Sequence, residues 1–345
     1  MSFIAVHGGA GNHSVANESL LKRSMRRACR KALEARFALD MVEHAIADLE
    51  DDELFNAGYG SNLTFDGTTE CDASVMDGSQ GFGGVGSVSG IKNPVCLARR
   101  VLEYSRTVDP LGRIPPLFLV SEGAKSFASR HYDPKKSMLV PSESLVSPKS
   151  KENWSRWRER YDRGDLTPGE LSDIQDTVGS VSLVGISSAA GVSSGGLLLK
   201  LPGRVGEACI FGSGCWAEDT EECSVAVSVS GAGEHIMRAS LARTLSKAIV
   251  SETPDADPHD IIHRVFKEEF WIPIKRLGED HPNAGILLLL RQGDTARLWC
   301  AFTTPSMAIA FASASNPKPK TFILRQSKPS SALDEPPLFI TAFSL

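Results

Sequence analysis

The feature that most constrains the fold is a polar interruption in an otherwise regularly patterned chain. Residues 134–174 are rich in charged residues, Ser and Pro and have no apolar periodicity, whereas the parts on either side contain β-type runs and helical patterns. Such a stretch is too long for an ordinary connection within a domain, so we expect a functional or disordered insert. The mixture of helical and β-type patterns on both sides of this insert predicts a layered α/β architecture.

The predicted elements are distributed over both halves. Short apolar runs that end at Gly or Ser predict strands at Phe3–Val6, Val178–Ile186 and Val225–Ser230. Helical periodicity extends over Glu18–Leu49, where one or two helices fit, and over Glu234–Ile249.

Composition restricts the classes of function. The formal net charge of -5 argues against bulk nucleic-acid binding, because phosphate-reading domains carry a basic excess. No window approaches the roughly 18 apolar residues of a membrane span, and residues 1–10 lack the pattern of a secretory signal. The 7 cysteines are scattered without a CxxC pair, which predicts reduced thiols and no structural zinc. We therefore expect a nuclear or cytoplasmic protein; the basic stretch Lys149–Arg163 is either a nuclear-import signal or an ordinary solvated linker.

The join between the insert and the next strand carries the residue that most suggests chemistry. Asp176 is followed by Thr177, directly before the apolar run. Threonine is common in strands, and from position alone that structural interpretation is the simpler one. A catalytic interpretation needs support from elsewhere in the chain.

Three downstream segments supply that support. Ser194 ends the strand that follows Thr177. Arg204 lies in a glycine-flanked turn, where its planar fork can bind a carboxylate through two hydrogen bonds. Ser230 and Gly231 end a strand and precede a helix, where a hydroxyl and backbone N–H groups can stabilise an oxyanion.

These segments together resemble the plant-type asparaginase family of N-terminal-nucleophile hydrolases. The resemblance covers nearly the whole chain except the insert and the C-terminal end, and it implies a single domain over residues 1–345 with a four-layer αββα sandwich. Its second-half motifs are Asp176-Thr177-Val178-Gly179, Ser194-Gly195-Gly196, Gly203-Arg204-Val205-Gly206 and Ser230-Gly231-Ala232-Gly233. Its first-half motifs are His7-Gly8-Gly9-Ala10-Gly11, Asn56-Ala57-Gly58, Cys71-Asp72-Ala73-Ser74-Val75-Met76-Asp77-Gly78 and Lys92-Asn93-Pro94.

Within that family the chain is most similar to the threonine aspartases (taspases), which are endoproteases. The long insert and serine at both 194 and 230 contribute to this closer similarity. Two features resemble the asparaginases instead: His7, followed by two glycines, and Glu207, at a position where asparaginases carry an Asp that holds a free α-amino group. The taspase-like motifs are Gly60-Ser61-Asn62-Leu63, Gly112-Arg113-Ile114-Pro115-Pro116, Gly214-Cys215-Trp216-Ala217-Glu218 and Gly233-Glu234-His235.

The resemblance implies a precursor that cleaves itself between Asp176 and Thr177. The products are an α fragment, residues 1–176 with a flexible linker over about 134–176, and a β fragment, residues 177–345. The freed α-amine of Thr177, whose ordinary pKa is roughly 7.7 to 8.0, then acts as the base for the hydroxyl of the same residue. We expect the fragments to stay associated as a heterotetramer of two α and two β, without a cofactor or a catalytic metal. The asparaginases of the family hold a structural sodium through backbone carbonyls before the Asn-Ala-Gly motif.

The resemblance also assigns the site residues. Thr177 is the nucleophile, Ser194 orients it, Ser230 and Gly231 stabilise the oxyanion, and Arg204 binds the substrate carboxylate. The remaining substrate-binding positions are Asn56, Glu207 and Gly233.

Three functions are compatible with this set of residues. The main prediction is an autoproteolytic threonine endopeptidase that cuts protein substrates after an aspartate at P1. The second is an asparaginase or isoaspartyl dipeptidase, and the third is a catalytically inactive, unprocessed scaffold. One pocket can serve either reaction, since an arginine that holds the α-carboxylate of asparagine can equally hold the side-chain carboxylate of a P1 aspartate.

Overall fold

Two sheets form the centre of the fold, which a computed structural model describes over residues 2–131, 138–167, 177–253, 256–326 and 335–345. The larger sheet has 8 strands in the order β12-β11-β1-β5-β6-β2-β3-β4. Its strands are β1 Ser2–Gly11, β2 Cys71–Asp77, β3 Phe82–Val88, β4 Phe118–Val120, β5 Val178–Val184, β6 Ser187–Ser194, β11 Ser306–Ser313 and β12 Lys320–Arg325.

The smaller sheet packs face to face against the larger one. It has 5 strands in the order β13-β10-β9-β8-β7. Its central strand has the sequence AGILLLLRQ, a continuous apolar run of the kind expected where both faces of a strand are covered. Its strands are β7 Cys215–Asp219, β8 Cys223–Gly231, β9 Ala284–Gln292, β10 Thr295–Phe302 and β13 Phe339–Ser344.

Helices cover the outer faces of both sheets. Apolar side chains of the first three helices pack on the larger sheet, and those of α7 and α8 pack on the smaller one, which gives two separate hydrophobic cores. The layers therefore run α-β-β-α, and the predicted fold class is confirmed. In the described part of the chain, no helix is both long and apolar enough to cross a membrane. The helices are α1 Glu18–Ala32, α2 Ala38–Glu50, α3 Pro94–Ser105, α4 Ser121–His131, α5 Pro148–Asp162, α6 Gly233–Ala239, α7 Leu241–Ser251, α8 Pro258–Arg264 and α9 Ile272–Lys275, with a π-helical segment, Val265–Trp271, between the last two.

Two predicted helical regions are each divided in two. The pattern over Glu18–Leu49 corresponds to α1 and α2, with residues 33–37 between them. The pattern over Glu234–Ile249 is broken at Ser240, whose φ of 45° is left-handed and therefore ends α6 before α7 begins.

The prediction of a flexible linker over residues 134–176 is wrong where the structure has a 3-10 turn and a helix. A 3-10 turn at Ser142–Leu145 is followed by α5, whose N-cap Ser147 accepts a hydrogen bond from Ser150 N. The helix lies on the body of the protein because Trp154 donates to the carbonyl of Thr64 at 2.9 Å and Arg158 donates to that of Phe65 at 3.0 Å. The rest of the proposed linker, at 134–137 and 168–176, lies outside the described residues.

The attachment of α5 can be tested at Trp154. The ring packs against the backbone of Gly67 and its N–H bonds to Thr64, so Trp154→Ala removes both contacts. A lost hydrogen bond of this kind costs about 0.5–1.5 kcal/mol, and local opening controls proteolysis. We expect tryptic cleavage within α5 to become roughly tenfold faster. Phe37→Ala, at an exposed aromatic on another face, should leave the cleavage rate unchanged.

Candidate active site

The start of β5 places Thr177 in a buried cleft at one end of the sandwich. β5 and β6 pair antiparallel with Val178 opposite Ser193, which brings Thr177 beside the last residue of β6. The Thr177 Oγ1 atom lies 3.1 Å from Ser194 Oγ and 3.0 Å from Glu207 Oε1. A hydroxyl between a hydroxyl and a carboxylate is arranged to lose its proton, as a nucleophile must.

Ser194 has a defined orientation. Its Oγ accepts a hydrogen bond from Gly196 N at 3.0 Å, within the turn that follows β6. This turn is held by Asn56, which donates from Nδ2 to the Gly196 carbonyl at 2.8 Å and accepts from Asn62 N at 2.8 Å. Asn56 therefore shapes the wall of the cleft beside Thr177.

The carboxyl group of Glu207 is fully enclosed. Burial raises its pKa to about 7, although its own backbone N–H, the Arg204 guanidinium and the Thr177 hydroxyl all act in the opposite direction. At neutral pH the group is thus divided between its acid and carboxylate forms and can exchange a proton with Thr177. A titratable group poised near the working pH is characteristic of functional sites.

Arg204 also lines this cleft, and its guanidinium is held in a fixed position. Its Nε and Nη2 atoms donate to the two carboxylate oxygens of Glu234, at 2.7 and 2.5 Å, while Nη1 takes no part in this fork. Burial raises the pKa of Glu234, but the fork outweighs it and leaves that pKa below its usual value. The turn carrying Arg204 is fixed by two acids: Glu70 accepts from Gly203 N and Asp72 accepts from Gly206 N, both at 2.8 Å. A held guanidinium of this kind is suited to bind a substrate carboxylate.

The end of β8 forms another side of the cleft. Gly231 lines it with a φ of 141°, and a Cβ at this position would lie 2.4 Å from the Asn283 carbonyl oxygen, so only glycine fits. Ser230 is fully buried and accepts a hydrogen bond from Ala10 N at 2.9 Å. Among the described residues that line the cleft Gly231 is present and Ser230 is not, so the proposed oxyanion role has direct geometric support only at Gly231.

Because Gly233 has no side chain, the Glu207 carboxyl group and the Arg204 guanidinium have room to face the cleft. A Cβ here would lie 2.6 Å from Glu207 Oε2 and 3.1 Å from Arg204 Nη2. Any side chain would therefore fill the space between the acid and the guanidinium. The residues lining the cleft are Asn56, Thr177, Ser194, Gly196, Leu197, Arg204, Glu207, Gly231 and Gly233.

Gly233→Ala should consequently damage activity much more than stability. The added methyl displaces Glu207 and Arg204 from positions that face Thr177, and a misplacement of about 1 Å can reduce turnover about 100-fold. We expect kcat/KM to fall by that order while Tm changes by only a few degrees. Gly123→Ala is the matched control, since a Cβ there has no atom within 4 Å.

His7 pairs with β5 at Gly179 and is not among the described residues that line the cleft. Its Nε2 atom is 2.8 Å from Ser228 Oγ, and burial lowers the pKa of His7 to about 3, partly offset by the backbone of Thr177. The ring is therefore neutral at physiological pH. This agrees with a mechanism that uses no histidine as its acid or base.

The loop before Asn56 brings backbone carbonyl oxygens close to two glycines, in the region where the asparaginases hold a structural sodium. A Cβ on Gly58 would lie 2.5 Å from the Glu50 carbonyl oxygen, and one on Gly60 would lie 2.1 Å from that of Phe55 and 3.0 Å from that of Asp52. Carbonyl oxygens are the ligand type that a hard cation takes. Such an ion would stabilise the loop next to Asn56 and supply no chemistry at Thr177. No group of three or more His, Cys, Asp or Glu side chains in the described residues could hold a metal.

The structure thus brings together seven of the predicted site residues. Asp176, the other half of the predicted cleavage site, lies outside the described residues. Sequence reasoning missed two supporting groups, the Glu234 carboxylate on Arg204 and the Asp72 carboxylate under the Arg204 turn. Their only sequence signal is that both acids stand inside the glycine-rich motifs that carry the resemblance.

The chain is similar in sequence to known asparaginases and isoaspartyl peptidases. A family model described as asparaginase matches residues 1–318. The isoaspartyl peptidase/L-asparaginase of Homo sapiens is 32% identical over 312 residues, which cover 88% of this chain and 91% of that protein. The corresponding protein of Mus musculus is 33% identical over 313 residues, covering 89% and 87%. The plant-type L-asparaginase of Pyrococcus horikoshii is 35% identical over 260 residues, covering 71% and 78%.

Proposed function

Because the chain belongs to the asparaginase family of N-terminal-nucleophile hydrolases, we propose that it is a self-activating threonine hydrolase that cleaves bonds at aspartyl-type residues. Thr177 is its nucleophile and, once freed, its base. The observation that carries this proposal is the position of Thr177 Oγ1 between Ser194 and Glu207, in a cleft that also contains Arg204.

The two halves of the chain are interleaved, which supports continued association after cleavage. In the larger sheet β5 and β6, from the β fragment, lie between β1 and β2, from the α fragment. Cleavage before Thr177 leaves all these ladders intact. We propose that the fragments stay together as one folded unit; assembly into two α and two β fragments, in the nucleus or cytoplasm, remains a prediction.

The first candidate substrate is a β-aspartyl dipeptide or asparagine. The named relatives are isoaspartyl peptidases and asparaginases, and the comparisons favour this candidate over a protease. The charges in the cleft also support it, because the buried Glu207 carboxyl group is close enough to Arg204 for the guanidinium to lower its pKa. An acid next to a cation can bind the α-ammonium and α-carboxylate of a small amino-acid substrate at the same time.

The second candidate substrate is a protein with aspartate at P1. This chain carries Ser194 and Ser230 and the segment that begins Gly214-Cys215-Trp216, which resemble the threonine aspartases. The predicted self-cleavage site supports the same specificity, since Asp176 would be the P1 residue. In this case Arg204 holds the aspartate side chain and Thr177 attacks the main-chain carbonyl.

A direct comparison of substrates distinguishes the two candidates. The self-cleaved protein is incubated with a β-aspartyl dipeptide, with asparagine, and with a peptide that contains an internal Gln-x-Asp sequence. Turnover of the small substrates alone eliminates the protease, and turnover of the peptide alone eliminates the asparaginase. An N-terminal sequence of Thr-Val-Gly-Ser on the smaller fragment is expected in either case. An intact chain after prolonged incubation, with no turnover, would establish the inactive scaffold instead.

A further inference from the structure

Self-cleavage poses a chemical problem that mature catalysis does not. Before cleavage, the nitrogen of Thr177 belongs to a peptide bond and cannot accept a proton. The α-amine that serves the mature enzyme is therefore not yet a base, and a threonine hydroxyl is a poor nucleophile without one. Some other group must take the hydroxyl proton in the precursor.

The contacts of Thr177 identify that group. Its Oγ1 atom bonds to Ser194 and Glu207. Within the described residues, Glu207 is the only titratable side chain that reaches this hydroxyl. Thr177 Oγ1 donates to both oxygens, but the Ser194 hydroxyl, which also accepts from Gly196 N, is not basic, so the Glu207 carboxylate is the group that can take the proton. The separation of 3.0 Å between Thr177 Oγ1 and Glu207 Oε1 is within the range for direct proton transfer.

We propose that Glu207 is the general base that starts self-cleavage, a role distinct from the amine base of the mature enzyme. This inference rests on the proposed self-activating function and deepens it. It also gives the acid at position 207 a function that is independent of which substrate the mature enzyme cleaves.

The proposed step is balanced in protons and bonds. Glu207 takes the Thr177 hydroxyl proton while Oγ1 forms a bond to the carbonyl carbon of Asp176. The carbon–nitrogen bond then breaks, and Glu207 returns the proton to the departing nitrogen, which becomes the α-amine. The product is an ester between Asp176 and the Thr177 side chain. Water hydrolyses that ester, leaving a carboxylate on Asp176 and a restored hydroxyl on Thr177.

The surroundings of Glu207 keep its proton affinity in the useful range. Arg204, itself paired with Glu234, favours the carboxylate form, whereas burial and the Asp72 carboxylate favour the acid form. Lys200 favours the carboxylate form of Asp72, whose pKa burial raises, and its ammonium bonds to the Glu70 carbonyl at 2.7 Å. Burial, offset in part by these charges and hydrogen bonds, leaves the pKa of Glu207 at about 7, so the base form increases as pH rises through neutrality.

The experiment follows the intact precursor. The full chain is made by cell-free translation, synthesis is stopped, and loss of the precursor is measured by denaturing mass spectrometry between pH 5 and 9. For the unmodified chain we expect the rate to rise with pH and level off above about 7. Glu207→Gln should slow cleavage about 10²- to 10⁴-fold and remove this inflection. Glu207→Asp, which keeps a carboxylate, should retain a pH-dependent rate within roughly tenfold.

Two further variants separate proton transfer from folding. Glu218→Gln removes another buried acid, one that contacts Trp216 and Lys247 rather than Thr177, and should leave the rate unchanged. In Glu207→Ala, added formate should restore cleavage, whereas the same concentration of chloride should not. A merely structural role for Glu207 predicts no formate rescue.

The outcomes distinguish this inference from the proposed function. Absence of cleavage in the unmodified chain would overturn both. Normal cleavage of the unmodified chain, with an unchanged rate and pH profile in Glu207→Gln or with no formate rescue of Glu207→Ala, would overturn only the role of Glu207. An Asp variant as slow as the Gln variant would also count against it.

Discussion

Thr177→Ala is expected to give a single chain that never separates into two fragments and does not turn over substrate. The substitution removes the hydroxyl that lies 3.1 Å from Ser194 Oγ and 3.0 Å from Glu207 Oε1, and with it the nucleophile for both self-cleavage and catalysis. Removing a catalytic nucleophile typically lowers kcat on the order of 10⁴-fold or more. Denaturing mass spectrometry measures the cleavage, and a substrate assay measures the turnover.

Two controls make this result specific to the hydroxyl. Thr177→Ser retains the nucleophilic oxygen and should still cleave itself, although more slowly. Ser182→Ala removes a hydroxyl from the same strand, but one that faces the helices and bonds to the Ala38 carbonyl at 2.7 Å. It should leave processing and activity intact. Separation of a Thr177→Ala chain into fragments 1–176 and 177–345 would show that another residue attacks that bond.

The strands and the residues at their ends could be predicted from sequence because they follow local patterns. Apolar runs ending in Ser or Gly predicted strands at Val178–Ile186 and Val225–Ser230, and the structure has β5 and β8 there. Since the functional residues stand at strand ends, predicting the strands also located Thr177, Ser194 and Gly231. Local periodicity therefore placed these residues at strand ends, whereas their roles were assigned by the resemblance to the family.

Helix α5 could not be predicted in the same way. It buries few side chains, notably Ser150 and Trp157. It is attached by hydrogen bonds to backbone carbonyls from Lys149, Ser150, Trp154 and Arg158. Such contacts leave no apolar stripe in the sequence. The available signal was a helix start, Ser147 followed by a proline, which an analysis of apolar periodicity does not detect.

The hydrogen bonds between side chains inside the site could not be predicted from local sequence patterns either. Glu234 bonds to Arg204 across 30 positions, and Asp72 holds Gly206 across 134. Sequence reasoning assigned Glu207 to the substrate and gave no sign of its hydrogen bond to the Thr177 hydroxyl, also 30 positions away. Which atoms meet at such distances along the chain depends on how the two sheets pack, and no single-sequence pattern encodes that.

Arg204→Ala is expected to produce the largest loss of substrate binding. Truncating one partner of a charge pair that is buried on binding, as the pair of Arg204 with a substrate carboxylate would be, costs about 2–5 kcal/mol, which corresponds to roughly 30- to 5,000-fold in kcat/KM. We expect most of the loss in KM, because the guanidinium lies in the cleft while its fork to Glu234 keeps it in place. Arg204→Lys should recover little, since an ammonium cannot reproduce the planar fork.

Self-cleavage of the same variant tests whether the site recognises aspartate. If Arg204 binds the side chain of a P1 aspartate, it also binds that of Asp176 in the precursor, and Arg204→Ala should slow processing as well as turnover. If Arg204 binds only the α-carboxylate of a small substrate, processing should continue at its normal rate on the high-pH plateau, where Glu207 is ionised even without Arg204, while small-substrate turnover fails. Arg238→Ala, which removes an exposed charge on α6, should change neither rate. One pair of rate measurements thus distinguishes the protease from the asparaginase through a single side chain.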